Sequence, residues 1–163
     1  MPSQSFERYV DRYDEWFETN RAVYESELRA VASLLPRHGV GIEIGVGTGR
    51  FAACLDIAVG VEPSTAMGAV ARRRGIDVIQ AVAESLPLAD ATFDFALMVT
   101  TLCFLDDARL SLCETHRVLK HGGRWWWGSL TERTIWDANM SGEKPKAFSS
   151  ATHVSTASTK SWI

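Results

Sequence analysis

The residues with the clearest chemical purpose lie in Gly41-Ile42-Glu43-Ile44-Gly45-Val46-Gly47-Thr48-Gly49-Arg50-Phe51-Ala52. An apolar run ends in alternating glycines, with an acid, Glu43, just before the first. Such a turn lets backbone approach a ligand closely, because a Cβ at Gly45, Gly47 or Gly49 would crowd it. The N–H groups that open the following helix face the same crevice. Two kinds of ligand compete. A dinucleotide fingerprint needs G-x-G-x-x-G or G-x-G-x-x-A. Counted from Gly45 it fails at Arg50; counted from Gly47 it is met by Gly49 and Ala52. A pyrophosphate is anionic and suits a bare helix N-terminus, whereas an acid beside the glycines suits a ligand with a cationic middle.

A second acid, Glu62, ends the next apolar run, Ile57-Ala58-Val59-Gly60-Val61. In nucleoside-binding α/β folds an acid at this place hydrogen-bonds ribose hydroxyls, which serves any adenosine-bearing ligand. Other chemistry finds little support. Cys54, Cys103 and Cys113 have no metal or redox spacing and read as small core residues. His38, His116, His121 and His153 form no ligand pattern, and no metal site is expected. His116 falls within a helical pattern and reads as a packed residue.

These residues must be positioned by alternating strands and helices. Strands are expected at Gly39 to Ile44, Ile57 to Val61, Ile76 to Gln80, Phe95 to Val99 and Arg124 to Gly128. Between them, Arg50 to Leu55 starts a short crossover helix, and Ser64 caps a helix closed by Gly75. The basic run Arg72-Arg73-Arg74 suits the dipole of that helix's last turn. Asp106 or Asp107 caps a helix with Leu112, His116 and Leu119 on one stripe, ended by Gly122-Gly123. Ahead of the sheet, Phe6, Tyr9, Val10, Tyr13, Trp16 and Phe17 recur at helical steps. Asn20 caps a second helix, and Pro36 ends it. The aromatic face packs on the sheet or forms a lid whose rings shield a cation.

At 163 residues with 46% apolar content, the chain has the size and composition of one globular domain. Its net charge of −3 argues against charge-driven binding to nucleic acid or a membrane surface. No secretory signal is visible and no apolar run approaches the ~20 residues of a membrane span. A reducing, cytoplasmic location is expected. Residues 1–36 form a helical lid or packing segment, residues 37–130 the ligand-binding core, and residues 131–163 an irregular, Ser- and Thr-rich tail.

Four motifs in order resemble the class I S-adenosylmethionine-dependent methyltransferases, in their UbiE-like group. Glu43-x-Gly45-x-Gly47-x-Gly49 resembles the first motif. Gly60-Val61-Glu62-Pro63-Ser64 resembles the acid-bearing second. Ala83-Glu84-Ser85-Leu86-Pro87 with Phe93-Asp94 resembles the "A-E-x-L-P … F-D" segment. Arg117-Val118-Leu119-Lys120-His121-Gly122-Gly123 resembles "R-V-L-K-P-G-G", with His121 in the proline place. The resemblance spans residues 37 to 130. It implies a three-layer Rossmann-like α/β fold whose five recognisable parallel strands run 3-2-1-4-5. The family sheet adds two strands, 3-2-1-4-5-7-6, with the seventh antiparallel. Without them the fifth strand is an edge bearing Trp125, Trp126 and Trp127, which predicts self-association.

The resemblance also implies S-adenosyl-L-methionine as cofactor. Glu43 and the backbone of Gly45, Gly47 and Gly49 would hold its methionine part. Glu62 would take the ribose hydroxyls, with Pro63 or Ser64 beside the adenine and Ala83 and Glu84 at the ring. Val82 stands where family members often carry an acid. Thr100 lies where cofactor and substrate meet. Tyr9, Tyr13, Trp16, Phe17, Thr101 and Phe104 are the candidates for the substrate side. The implied reaction is in-line methyl transfer to a small-molecule acceptor, needing alignment and exclusion of water more than an acid or base. No catalytic base is identified. A cofactor-binding remnant without catalysis and an NAD-binding oxidoreductase domain are the alternatives.

Overall fold

A computed structural model describes residues 3–128 and 153–156. Three N-terminal helices, α1 (Ser3–Arg8), α2 (Val10–Thr19) and α3 (Arg21–Leu34), precede the first strand, β1 (Gly41–Ile44). There follow α4 (Arg50–Cys54), β2 (Val59–Val61), α5 (Thr65–Arg73), β3 (Asp77–Ile79) and β4 (Phe93–Val99). A 3-10 turn at Leu102–Phe104 leads to α6 (Ala108–Val118), β5 (Leu119–Gly128) and β6 (His153–Thr156). The sheet order is β3-β2-β1-β4-β5-β6. Its first five strands are parallel, as expected, with Ile42 opposite Val59 on one side of β1 and Ala96 on the other.

The central strands are buried on both faces, so alternate residues feed two cores. Phe95, Leu97 and Val99 of β4 join Phe17, Tyr24 and Val31 of the N-terminal helices, Phe51, Ala71 and Trp126 in one cluster. Ala96 and Met98 join Ile42, Ile44, Leu86 and Val118 in the other. The N-terminal helices therefore help to build the core that supports the sheet.

Several local expectations are corrected. The fifth strand is not a bare edge: Val154 pairs with Trp126 and His153 with Trp127 in antiparallel register. β6 thus takes the place beside β5 that the family order gives to its antiparallel strand. The rest of the expected tail lies outside the described residues. Gly122-Gly123 does not end the preceding helix. Leu119 is already extended, and the glycines lie where the β4–β5 register shifts. On α6 the buried residues are Ser111, Thr115 and Val118, and His116 is exposed. The two hydroxyls tolerate burial because they donate to the carbonyls of Asp107 and Ser111. Cys54 and Cys113 are exposed, so they are not core residues. Asn20 stands between α2 and α3, but its side-chain amide donates to Trp16 O and closes α2 instead of capping α3. Ser64 caps α5 as expected, accepting from Met67 N at 3.2 Å.

Candidate functional site

The β1–α4 turn leaves the sheet at its carboxyl end, where open α/β folds bind ligands. Gly45 N and Val46 N donate to Val61 O, which ties the turn to β2. Gly45, Gly47 and Gly49 all have positive φ, a region costly for other L residues. A Cβ on Gly45 would lie 2.4 Å from Thr101 Oγ1, and one on Gly47 would meet the Tyr13 hydroxyl at 3.3 Å. The turn is therefore glycine by conformation and by space.

A cavity opens over it, walled by Phe6, Tyr13, Gly45, Gly47, Glu62, Pro63, Val82, Ala83, Glu84, Thr100, Thr101, Phe104 and Asp106 among others. Glu62 is nearly buried, and its carboxylate accepts from Gly47 N and Ser64 N, each at 2.9 Å. One carboxylate thus bridges the glycine turn and the end of β2. Burial pushes the Glu62 carboxyl up, while the two N–H donors work the other way. Thr100 leaves β4 with φ 57, an unusual conformation for a β-branched residue and a mark of local strain at a site. The loop carrying Ala83 and Glu84 is fixed from α6. Arg117 donates to Leu86 O and Leu88 O, and Glu114 accepts from Leu86 N. Glu84 Oε1 in turn accepts from Asp106 N and Asp107 N, closing that side of the wall.

The N-terminal segment forms the roof. Phe6 and Phe104 meet edge-to-face with centroids 5.0 Å apart, and Phe6 also meets Tyr13. Glu7 accepts from Thr65 N and Ala66 N at the start of α5. Burial, then the Glu62 charge, raises the Tyr13 phenol, so the hydroxyl stays a neutral donor.

Of the residues singled out in the sequence, Gly45, Gly47, Glu62, Pro63, Ala83, Glu84, Thr100, Tyr13, Thr101 and Phe104 wall this cavity. The others are elsewhere. Glu43 is buried beneath the turn, Gly49 packs against Ala71 at the start of α4, and Ser64 is occupied in capping α5. Phe17 lies in the core with Trp16 packed against it, and Tyr9 is exposed between α1 and α2. Tyr13 and Phe17 lie one turn apart on the same face of α2 with their rings in contact, so this stripe runs from the core at Phe17 to the cavity at Tyr13. Phe6 and Asp106 are wall residues that sequence reasoning does not single out. Phe6 carries a signal, because it belongs to the same stripe as Tyr13.

Glu43 tests what the site can hold. Its side chain is 2% exposed, and Oε2 has no hydrogen-bond partner among the described residues. Burial pushes the carboxyl up to about 8, against the Ala52 N–H, with Glu62 adding to the rise. A raised carboxyl favours the fold below its ordinary value of 4.5, and that contribution is lost as pH rises toward 8. The unfolding midpoint of the ligand-free chain is expected to fall across this window. Glu43→Gln should flatten the fall and raise the midpoint by ~5 °C at pH 8; a wild-type slope in that variant would contradict the assignment. An acid under the glycine cradle whose Oε2 lacks a partner among the described residues, with Glu62 in the wall, fits a cationic nucleoside ligand.

Fold and cavity together define a Rossmann-like nucleoside-binding protein. Residues 42–126, just over half of the chain, match the methyltransferase domain family. The chain belongs to that family, the class I S-adenosylmethionine-dependent methyltransferases, and its cofactor is S-adenosylmethionine. A solved Thermotoga maritima structure, described as a SAM-dependent methyltransferase and possible histamine N-methyltransferase, superposes with TM-score 0.82 at 47% identity, over 90% of this chain and 74% of that one. An uncharacterised Methanocaldococcus jannaschii protein is 45% identical over 119 residues, 73% of this chain and 58% of its own length. A ubiquinone/menaquinone biosynthesis C-methyltransferase, UbiE of Stenotrophomonas maltophilia, is 36% identical over 110 residues, 58% of this chain and 43% of its own. The chain spans about half the length of the curated relatives it matches. Among the described residues no helix is long and apolar enough to cross a membrane.

Proposed function

We propose that the chain transfers a methyl group from S-adenosylmethionine to a small amine. The observation that carries this is the charge of the cavity wall. Among the described residues its ionic side chains are Glu62, Glu84 and Asp106, with no lysine, arginine or histidine, and the rings of Phe6, Tyr13 and Phe104 stand beside them. Carboxylates and aromatic faces favour a cation and disfavour an anionic acceptor. The names of the relatives point to both carbon and nitrogen acceptors, and the wall favours nitrogen. The T. maritima neighbour's description as a possible histamine N-methyltransferase agrees with it.

When bound, S-adenosylmethionine supplies a sulfonium-activated methyl group that needs little acid or base assistance. The protein's part is placement. The turn from Gly45 to Gly49, with Glu43 behind it, receives the methionine part; Glu62 takes the ribose hydroxyls; Pro63, Val82 and Ala83 flank the adenine, with Glu84 holding the loop. Thr100, Thr101, Phe104 and Asp106 lie on the acceptor side. The Phe6–Phe104 pair excludes water from the reacting atoms. The acceptor enters as the free amine, its proton already left in bulk water, and Asp106 faces the positive charge that develops on nitrogen as the methyl group is transferred. Glu43, Gly49 and Ser64 act from behind the wall.

A panel of small amines, carboxylates and phenols, assayed with methyl-labelled donor, tests the reading. Labelled product confined to amines supports it. Label only on carboxylates or phenols overturns the acceptor class. Cofactor binding without transfer to any member of the panel would overturn the transfer reading and leave a cofactor-binding module.

A further inference from the structure

We propose that Asp14 is a positioning residue for the cofactor turn, joining the N-terminal helices to the glycine loop so that the two form one site. The proposal rests on S-adenosylmethionine occupying the cavity described above. Asp14 does not line the cavity, and no motif contains it. Its carboxylate accepts from Thr48 Oγ1 at 2.8 Å, inside the turn, and from Arg50 Nε and Nη2 at 3.0 and 2.6 Å, at the start of α4. Arg74, at the far end of α5, reaches it at 2.6 Å and also donates to Thr48 O at 2.6 Å.

Three segments distant in sequence thus converge on Thr48, the residue between two glycines with positive φ. Glycines make a turn adaptable as well as compact, since they accept many backbone conformations. Something must choose one. On the cavity side Glu62 holds Gly47 N; on the opposite side Asp14 and Arg74 hold Thr48 by its hydroxyl and its carbonyl. The next residue back in the chain, Tyr13, rests its hydroxyl on Gly47. Fixing Asp14 therefore sets the distance between Tyr13 and the turn, and with it the width of the cavity. Burial works against the Asp14 charge, yet hydrogen bonds from Arg50, Arg74 and Thr48 hold its carboxyl well below the usual range. The clamp stays charged at any pH near neutrality.

The test is Asp14→Asn in the full chain, followed by amide hydrogen exchange without ligand and by calorimetric affinity for S-adenosylhomocysteine. The comparison is Val31→Ala, which loosens the core under α3 and leaves the clamp intact. We expect Asp14→Asn to speed exchange at Gly47 and Gly49 and to weaken binding by about tenfold or more, with the amides of β4 unchanged. Val31→Ala should lower the melting temperature while leaving turn exchange and affinity near wild type. If the two variants behave alike at the turn and in binding, Asp14 is merely structural and the proposal fails. Should Asp14→Asn lose protection throughout, Thr48→Val decides. That variant deletes one of the clamp's bonds, and turn exchange and affinity equal to wild type would overturn the proposal. Exchange at the turn needs no ligand, so its result is independent of the cofactor assignment.

Discussion

Glu62→Ala is expected to weaken S-adenosylhomocysteine binding by roughly 30- to 150-fold, equivalent to ~2–3 kcal/mol. Two losses combine. The ligand loses the acid that would accept from its ribose hydroxyls. The protein loses the acceptor of Gly47 N and Ser64 N, both at 2.9 Å. The two amides are then left without their acceptor at a nearly buried position, and the turn loses a tie to the end of β2. Glu62→Gln separates the two effects. It keeps the shape and one carbonyl oxygen, but presents an NH2 group to the other amide, so an intermediate loss is expected. Calorimetric titration of the three chains measures the series. Wild-type affinity in Glu62→Ala would remove Glu62 from the ribose site.

Gly45→Ala is expected to cost ~3–5 kcal/mol of stability, lowering the melting temperature by ~10 °C, and to abolish cofactor binding. The conformational part comes from φ +75, in the left-handed region. That part alone costs ~1–2 kcal/mol. The remainder is steric, because the added Cβ would fall 2.4 Å from Thr101 Oγ1 and 2.5 Å from its Cγ2. Thr101 cannot yield easily, since its hydroxyl lies 3.1 Å from both Ile44 O and Val99 O at the ends of two central strands. Gly75→Ala is the control: it has φ +87 but nothing within 4 Å of the new Cβ. Thermal unfolding of both variants separates strain from collision. Equal melting temperatures would show that the Thr101 contact is unimportant. A Thr101→Ala change in the Gly45→Ala background should recover part of the difference.

The same local forces decide which features are legible in the amino-acid sequence. The spaced glycines, Glu62 at a strand end and the Ser64 cap are local signals, each set by the backbone geometry of a few adjacent residues. The continuous apolar run that becomes β4 is equally local. The features that are not legible depend on distant partners. Asp14 looks like an ordinary exposed acid on an amphipathic helix until Arg74, 60 residues away, arrives beside it. The buried face of α6 departs from its apolar stripe because Ser111 and Thr115 satisfy their hydroxyls on their own helix, which makes two polar residues cheap to bury. β6 has no hydrophobic period; pairing with the tryptophan-bearing β5 makes it a strand. Glu43 fits its motif, but only the fold reveals that it lies under the turn and outside the cavity wall.

Calorimetric titration of the 163-residue chain with S-adenosylhomocysteine, using NAD as control, most directly tests the claim that this cavity is a methyl donor's site. Saturable binding of S-adenosylhomocysteine, with none of NAD and with the affinity lost in Glu62→Ala, is the predicted result. A folded chain that binds neither, or binds NAD in preference, would contradict it.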